Sequence, residues 1–240
     1  MLAQAAAGSI QECWTLAERR AQVLLADAFA TFTTGPAYAF AALILRLNPK
    51  SAEVPGRPTD EQRAAMILAI LHAMDASAPE PPPFADIIKA LGSSWQSVLT
   101  GPDEQPVVSA SPEAPIDAGW VLTRFKAVVV KPDQAAYSRQ DWTDAKKWAG
   151  SWYQDLESGE TDLELPHEVE GRRLRDALNA AWLCRQMMID KAPSIITSAE
   201  GFNKAIESIA EAARYLCDAI TAERAAAEAP SNFGGPAPRP

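Results

Sequence analysis

Few side chains in this sequence carry the chemistry of a catalytic or metal centre: of 240 residues, 3 are Cys and 2 are His. Glu164 and His167 have the Glu-x-x-His spacing that puts two ligands on one helical face in di-iron bundles. Pro166 stands between them, and proline suits the first turn of a helix and not its interior. No second Glu-x-x-His occurs, because Ala69 holds the position three residues before His72. His167 therefore reads as an exposed residue near a helix N-terminus. His72, inside the apolar run MILAILHAM, reads as a half-buried packing residue. Cys184 and His167 fall 17 residues apart on one expected helix, a separation of about 25 Å at about 1.5 Å per residue, too far for a thiol–imidazole dyad. Cys13 and Cys217 lie on or beside apolar stripes, where a thiol is buried and inert.

Phosphate-cradling glycine motifs, a Gly-x-Ser-x-Gly elbow, a His-Glu-x-x-His pair and a calcium loop are all missing from the sequence. The reading assigns no catalytic residue, no metal and no cofactor. Net charge is −9, which argues against the cationic nucleic-acid binders whose affinity comes from neutralising phosphates. Three widely spaced cysteines supply neither a disulfide framework nor a zinc ribbon.

Two groups of residues suit binding. Trp142, Trp148, Trp152 and Tyr153 are concentrated on one helical segment, with Trp148 and Trp152 a turn apart. Such a pair serves as core or as an interface anchor, since Trp and Tyr dominate both; a base-stacking surface fits less well beside so many acids. The stretch 155–170 holds Asp155, Glu157, Glu160, Asp162 and Glu164 without a basic residue, and Arg172, Arg173 and Arg175 follow it. It reads as a solvated loop balanced by the next helical turn, or as an acidic docking surface for a basic partner.

The elements that must position these residues are helices. Ser/Thr followed three residues later by Glu/Gln marks helix starts at Ser9/Glu12, Thr59/Gln62, Ser93/Gln96 and Thr197/Glu200. Gly35-Pro36, Asn48-Pro49, Gly92 and Ala192-Pro193 mark stops. The expected helices span about 10–33, 36–47, 60–76, 84–91, 94–100, 140–157, 167–191 and 198–228, with ends placed to about 2–4 residues. In the first, Trp14, Ala17, Ala21, Leu24, Ala28 and Phe32 form the inner stripe and Glu18, Arg19 and Asp27 the outer face. In the last, Phe202, Ile206, Ile209, Ala213, Leu216 and Ile220 follow a heptad spacing, fit for a bundle seam or for another chain. Residues 120–130 (WVLTRFKAVVV) balance between a helix and a short strand, and the lack of a pairing partner tips them to helix.

The fold class is all-α: two helical halves, 1–100 and 117–228, joined by a Pro-rich arm at 101–116 and followed by a Pro/Gly tail at 229–240. No apolar run approaches the length needed to cross a bilayer, and the N-terminus lacks the basic region of a signal peptide. A cytoplasmic location, or a virion if the chain is phage-encoded, is expected. The functional expectation is a non-enzymatic assembly component, adaptor or chaperone of a larger prokaryotic or phage complex. It would bind other protein chains and neither nucleic acid nor membrane. Trp148, Trp152 and the heptad residues are its interface candidates, and Asp155 to Glu164 its acidic docking candidates. Two alternatives belong to other classes: a helical enzyme using dispersed acids with His72 or His167, and an acidic inhibitor that masks a basic site.

Overall fold

A computed structural model describes residues 2–78, 81–100, 114–129, 135–163, 173–191 and 198–228. Among these the secondary structure is helical, without a strand: α1 (Leu2–Thr34), α2 (Pro36–Phe40), a π-helical segment (Ala41–Arg46), α3 (Asp60–Ala76), α4 (Ala85–Thr100), α5 (Ala118–Val128), α6 (Arg139–Ser158), α7 (Leu174–Lys191) and α8 (Ala199–Glu228). The chain forms two compact units, 1–142 and 143–240. No described helix is long and apolar enough to cross a membrane.

The first unit is built around α3. Ala64, Ala65, Met66, Ile67, Leu68, Ile70, Leu71 and Met74 are all buried, which covers nearly the whole circumference of the helix. A helix apolar all round belongs inside other helices, and α1, α2, α4 and α5 pack on it. Its start is the capping box expected at Thr59: the Thr59 hydroxyl accepts from the Gln62 N–H and the Gln62 amide oxygen accepts from the Thr59 N–H, both at 3.1 Å. His72 is exposed, and not half-buried as the apolar run suggests. With three sides of α3 covered by neighbours, Glu61, His72 and Ala76 are left on the open one.

Gly35 ends α1 as expected. Its φ of +73° suits glycine, and an added Cβ would lie 2.3 Å from the Tyr137 ring. The Tyr137 N–H donates to the Phe32 carbonyl at 2.8 Å, which fastens 137 to the end of α1. Phe84 sits against Tyr137 and Trp142, with ring centroids 6.1 and 5.8 Å away. Residues 118–128 are α5, capped by the Asp117 carboxylate on the Trp120 N–H; the strand alternative is not realised. Phe125 stacks edge-on to Phe29 at 5.3 Å, so α5 belongs with α1 and α3 and not with the C-terminal half. Gly92 does not stop a helix: α4 runs through it, and Ser93 lies in its interior. Likewise α1 begins well before Ser9.

The second unit holds most of α6 together with α7 and α8, with α7 against α8. The heptad spacing of α8 turns Ile209, Ala213, Leu216 and Ile220 inward, and leaves Phe202 and Ile206 half-buried. The Lys191 ammonium lies 4.5 Å from the centre of the Tyr153 ring, joining the end of α7 to α6. The arm at 101–113, the tail at 229–240, His167 and Glu164 lie outside the described residues.

Candidate functional site

The residues nominated by sequence separate into two kinds. Trp148 and Trp152 are buried, as are Ile209, Leu216 and Ile220; they are core side chains. Ile206 and Ile209 line a small notch of about 150 Å³ with Ala181 and Trp182, and the Arg185 guanidinium covers the Trp182 ring at 5.2 Å. Glu157, Glu160 and Asp162 are exposed and Asp155 is half-buried, so these acids stand at and just beyond the end of α6. Among the described residues no group of three or more His, Cys, Asp or Glu could hold a metal ion. Burial pushes the Cys184 thiol up to about 12, with the Asp155 carboxylate adding to it, and burial raises Cys217 as well. Neither is a nucleophile near neutral pH.

The concave surfaces of the first unit are made by residues that sequence periodicity did not single out. After α2 the chain widens into the π-helical segment Ala41–Arg46, which closes with the Leu47 N–H on the Ala42 carbonyl at 2.8 Å. An extra residue per turn shifts the side-chain register. Ala42 and Leu43 go inward, while Ile44, Leu45 and Arg46 emerge. The following loop, 47–59, is held at several points. The Asn48 N–H donates to Asp60 Oδ2 at 2.9 Å, Arg20 Nε donates to the Arg57 carbonyl at 3.1 Å, and the Arg57 N–H donates to the Val54 carbonyl at 3.0 Å. Gly56, at φ +75°, brings the loop against Leu16.

On one side of this ridge is an apolar groove of about 270 Å³ between the segment and α4. Leu43, Leu47, Leu91 and Trp95 form its floor, and Ile44 and Val98 its exposed rim. The Trp95 indole N–H is buried and finds no acceptor among the described residues. An unpaired buried donor costs about 1–3 kcal/mol. The groove is thus uncovered apolar surface, and the Trp95 ring in its floor carries a buried N–H without its bond.

On the other side lies a larger cleft, about 440 Å³, walled by Val23, Val54 and Pro58 and by Arg46, Arg57 and Arg63. At its base is a buried ion pair. Arg63 grips Asp27 with two parallel bonds, Nε to Oδ2 at 2.7 Å and Nη2 to Oδ1 at 2.9 Å, and the Tyr38 hydroxyl donates to Oδ1 at 2.5 Å. Asp27 was expected on the outer face of α1; it is only 2% exposed. Burial of a carboxylate is tolerated because three donors satisfy it. The same contacts act back on the donors. Burial, and then the bond to Asp27, push the Tyr38 hydroxyl up to about 12, and the Asp27 contact raises the Arg63 guanidinium further. The signal that would have located this cluster is Arg63, a charged residue directly before the apolar run Ala64–Leu71 of α3.

No protein-family model, curated protein or solved structure matches the chain. The chemistry of these two surfaces is therefore the ground for a functional assignment.

Proposed function

We propose that the chain is a non-enzymatic, protein-binding component of a larger assembly, and that it docks a partner chain through the groove between the π-helical segment and α4. One observation carries this reading: a groove floored by Leu43, Leu47, Leu91 and Trp95 has an apolar rim, Ile44 and Val98, that is 38% and 51% exposed. Leu45 beside it is 70% exposed. Aliphatic side chains grouped at one groove are surface that a partner gains by covering, at about 25 cal/mol per Å². Shape favours an apolar anchor side chain of the partner entering between Leu43 and Trp95, the mode in which a helix uses a hydrophobic groove. Across the ridge, Tyr38 is held protonated well above neutral pH and Asp27 is engaged by three donors, an arrangement that suits a structural ion pair. A role as adaptor, structural subunit or chaperone in a prokaryotic or phage complex agrees with a binding surface of this kind.

Site-directed photocrosslinking tests the reading. A photoreactive residue in place of Val98, in the native cells of the protein, gives a discrete crosslinked species. The same residue in place of Lys89, exposed elsewhere on α4, gives none. Equal crosslinking from both positions, or from neither, contradicts the proposed surface.

A further inference from the structure

The cleft on the other side of the ridge has a different chemistry from the groove. Three arginines line it, in a chain whose net charge is −9. Arg63 is consumed by Asp27 and stands 3.6 Å from Asp60. Arg46 and Arg57 have no ion-pair partner among the described residues, and both line the cavity. Both side chains are exposed, and the backbone fixes the points from which they extend. Arg46 is delivered by the register shift of the π-helical segment, and Arg57 by a loop pinned at Asn48, Gly56 and its own backbone. Arg46 lies close enough to the buried cluster for its charge to act on the Tyr38 hydroxyl. Two like charges held beside one cavity repel each other unless an anion joins them. The planar fork of arginine matches the two oxygens of a carboxylate or a phosphate.

The remaining lining includes one carboxylate, Asp60, which is engaged by Arg63 and by the Asn48 N–H, and otherwise provides a site for a ligand body. The Ser51 hydroxyl is at the cleft, and the Thr59 hydroxyl, which accepts from the Gln62 N–H, still has its proton to donate. Val23, Val54 and Pro58 provide apolar walls. A cavity of about 440 Å³ lies within the range of small-molecule sites, about 300–1,000 Å³.

We propose that the Arg46/Arg57 cleft is a binding site for a small oxyanion ligand, a phosphate or carboxylate group on a compact body, bridged between the two free guanidinium groups. Arg63, fixed by Asp27, forms the rigid wall behind it. The site is separate from the partner groove and does not depend on it.

Calorimetric titration of the full chain with inorganic phosphate and, separately, with acetate tests this, with thermal unfolding followed in parallel. Binding raises the melting temperature with ligand concentration, because only the folded state holds the ligand. The wild type is expected to bind at least one of the two anions. Arg46→Gln and Arg57→Gln each weaken the interaction about tenfold, as expected for the loss of one charged hydrogen-bonding group, while circular dichroism stays unchanged. Arg214→Gln, on an exposed residue of α8, leaves binding as in the wild type. A stronger response to phosphate marks a phosphorylated ligand, and a stronger response to acetate a carboxylated one; either supports the site. Absence of binding by both anions overturns the proposal. So does equal binding by wild type and the Arg46→Gln/Arg57→Gln double variant, or an equal loss in Arg214→Gln.

Discussion

Asp27 shows how much of this molecule turns on single side chains. Its carboxylate is placed by α1, gripped by Arg63 of α3 and capped by Tyr38 of α2, so one residue joins three helices. Removing it leaves a guanidinium that is largely enclosed, and breaking a buried pair in this way costs about 3–5 kcal/mol. Asp27→Ala is therefore expected to lower the urea midpoint strongly, whereas Tyr38→Phe, which removes one of three donors, lowers it far less. A denaturation series in which both variants unfold at the wild-type midpoint would contradict the described cluster.

Tyr38 also gives a pH signature. The unfolded chain loses a tyrosine proton near 10, and the folded chain keeps that of Tyr38 up to about 12. Between these values the folded state holds one more proton, so stability falls as pH rises through the window. Tyr153 is raised as well, by burial and by Glu157, so difference absorbance at 295 nm is expected to show late-titrating phenols in the wild type and one fewer of them in Tyr38→Phe. Cys184 makes a similar case for inertness, since burial lifts its thiol to about 12. A mass-mapped alkylation at pH 8 is expected to leave Cys184 unmodified until denaturant is added; modification of the native chain would show that α6 and α7 open readily.

At the scale of elements, helix ends and helix interiors were unequally readable. The capping box at Thr59 and the stop at Gly35 appear where their chemistry puts them, because both are decided by groups within a few residues. Gly92 misled for the same reason. A lone glycine is a stop signal only if the chain turns there, and the burial of Leu91 and Trp95 on one face carries α4 through it. Nothing lies within 4 Å of a Cβ added at Gly92, so Gly92→Ala is expected to raise stability by about 0.5–1 kcal/mol. Gly35→Ala is expected to lower it, since φ is positive and the Tyr137 ring occupies the space. A thermal melt of the two variants that shows the opposite order would mean that α4 breaks at Gly92.

The π-helical segment was not readable at all, because no local residue type demands it. Expected as the end of an ordinary helix, it creates the ridge between the two candidate sites. The heptad of α8 and the Trp148/Trp152 pair were readable as apolar faces, but periodicity does not say whether a face meets the same chain or another. Burial assigns Trp148, Trp152, Ile209, Leu216 and Ile220 to the core. The polar cluster escaped notice since Asp27 and Arg63 are 36 positions apart, and only the fold brings them together.

At the scale of the whole molecule, the first unit surrounds the buried apolar residues of α3 and carries the groove and the cleft, and the second is a helical unit with Trp148, Trp152, Leu216 and Ile220 in its core. The acidic composition is spread along the chain, which makes the positive cleft a local feature and not a reflection of overall charge. The groove and the cleft share the ridge 41–59, so a partner seated on one side would border the ligand site on the other.

The claim that the chain works as part of an assembly is tested most directly by native mass spectrometry of the protein isolated from its own cells. A single chain has a mass of 25.8 kDa. The wild type is expected in a species heavier than this, and Ile44→Ser/Val98→Ser, which makes the groove rim polar, is expected at the mass of the single chain with its helical content intact. A wild type found only at 25.8 kDa at micromolar concentration, or a variant that keeps the same partner as the wild type, would contradict the account.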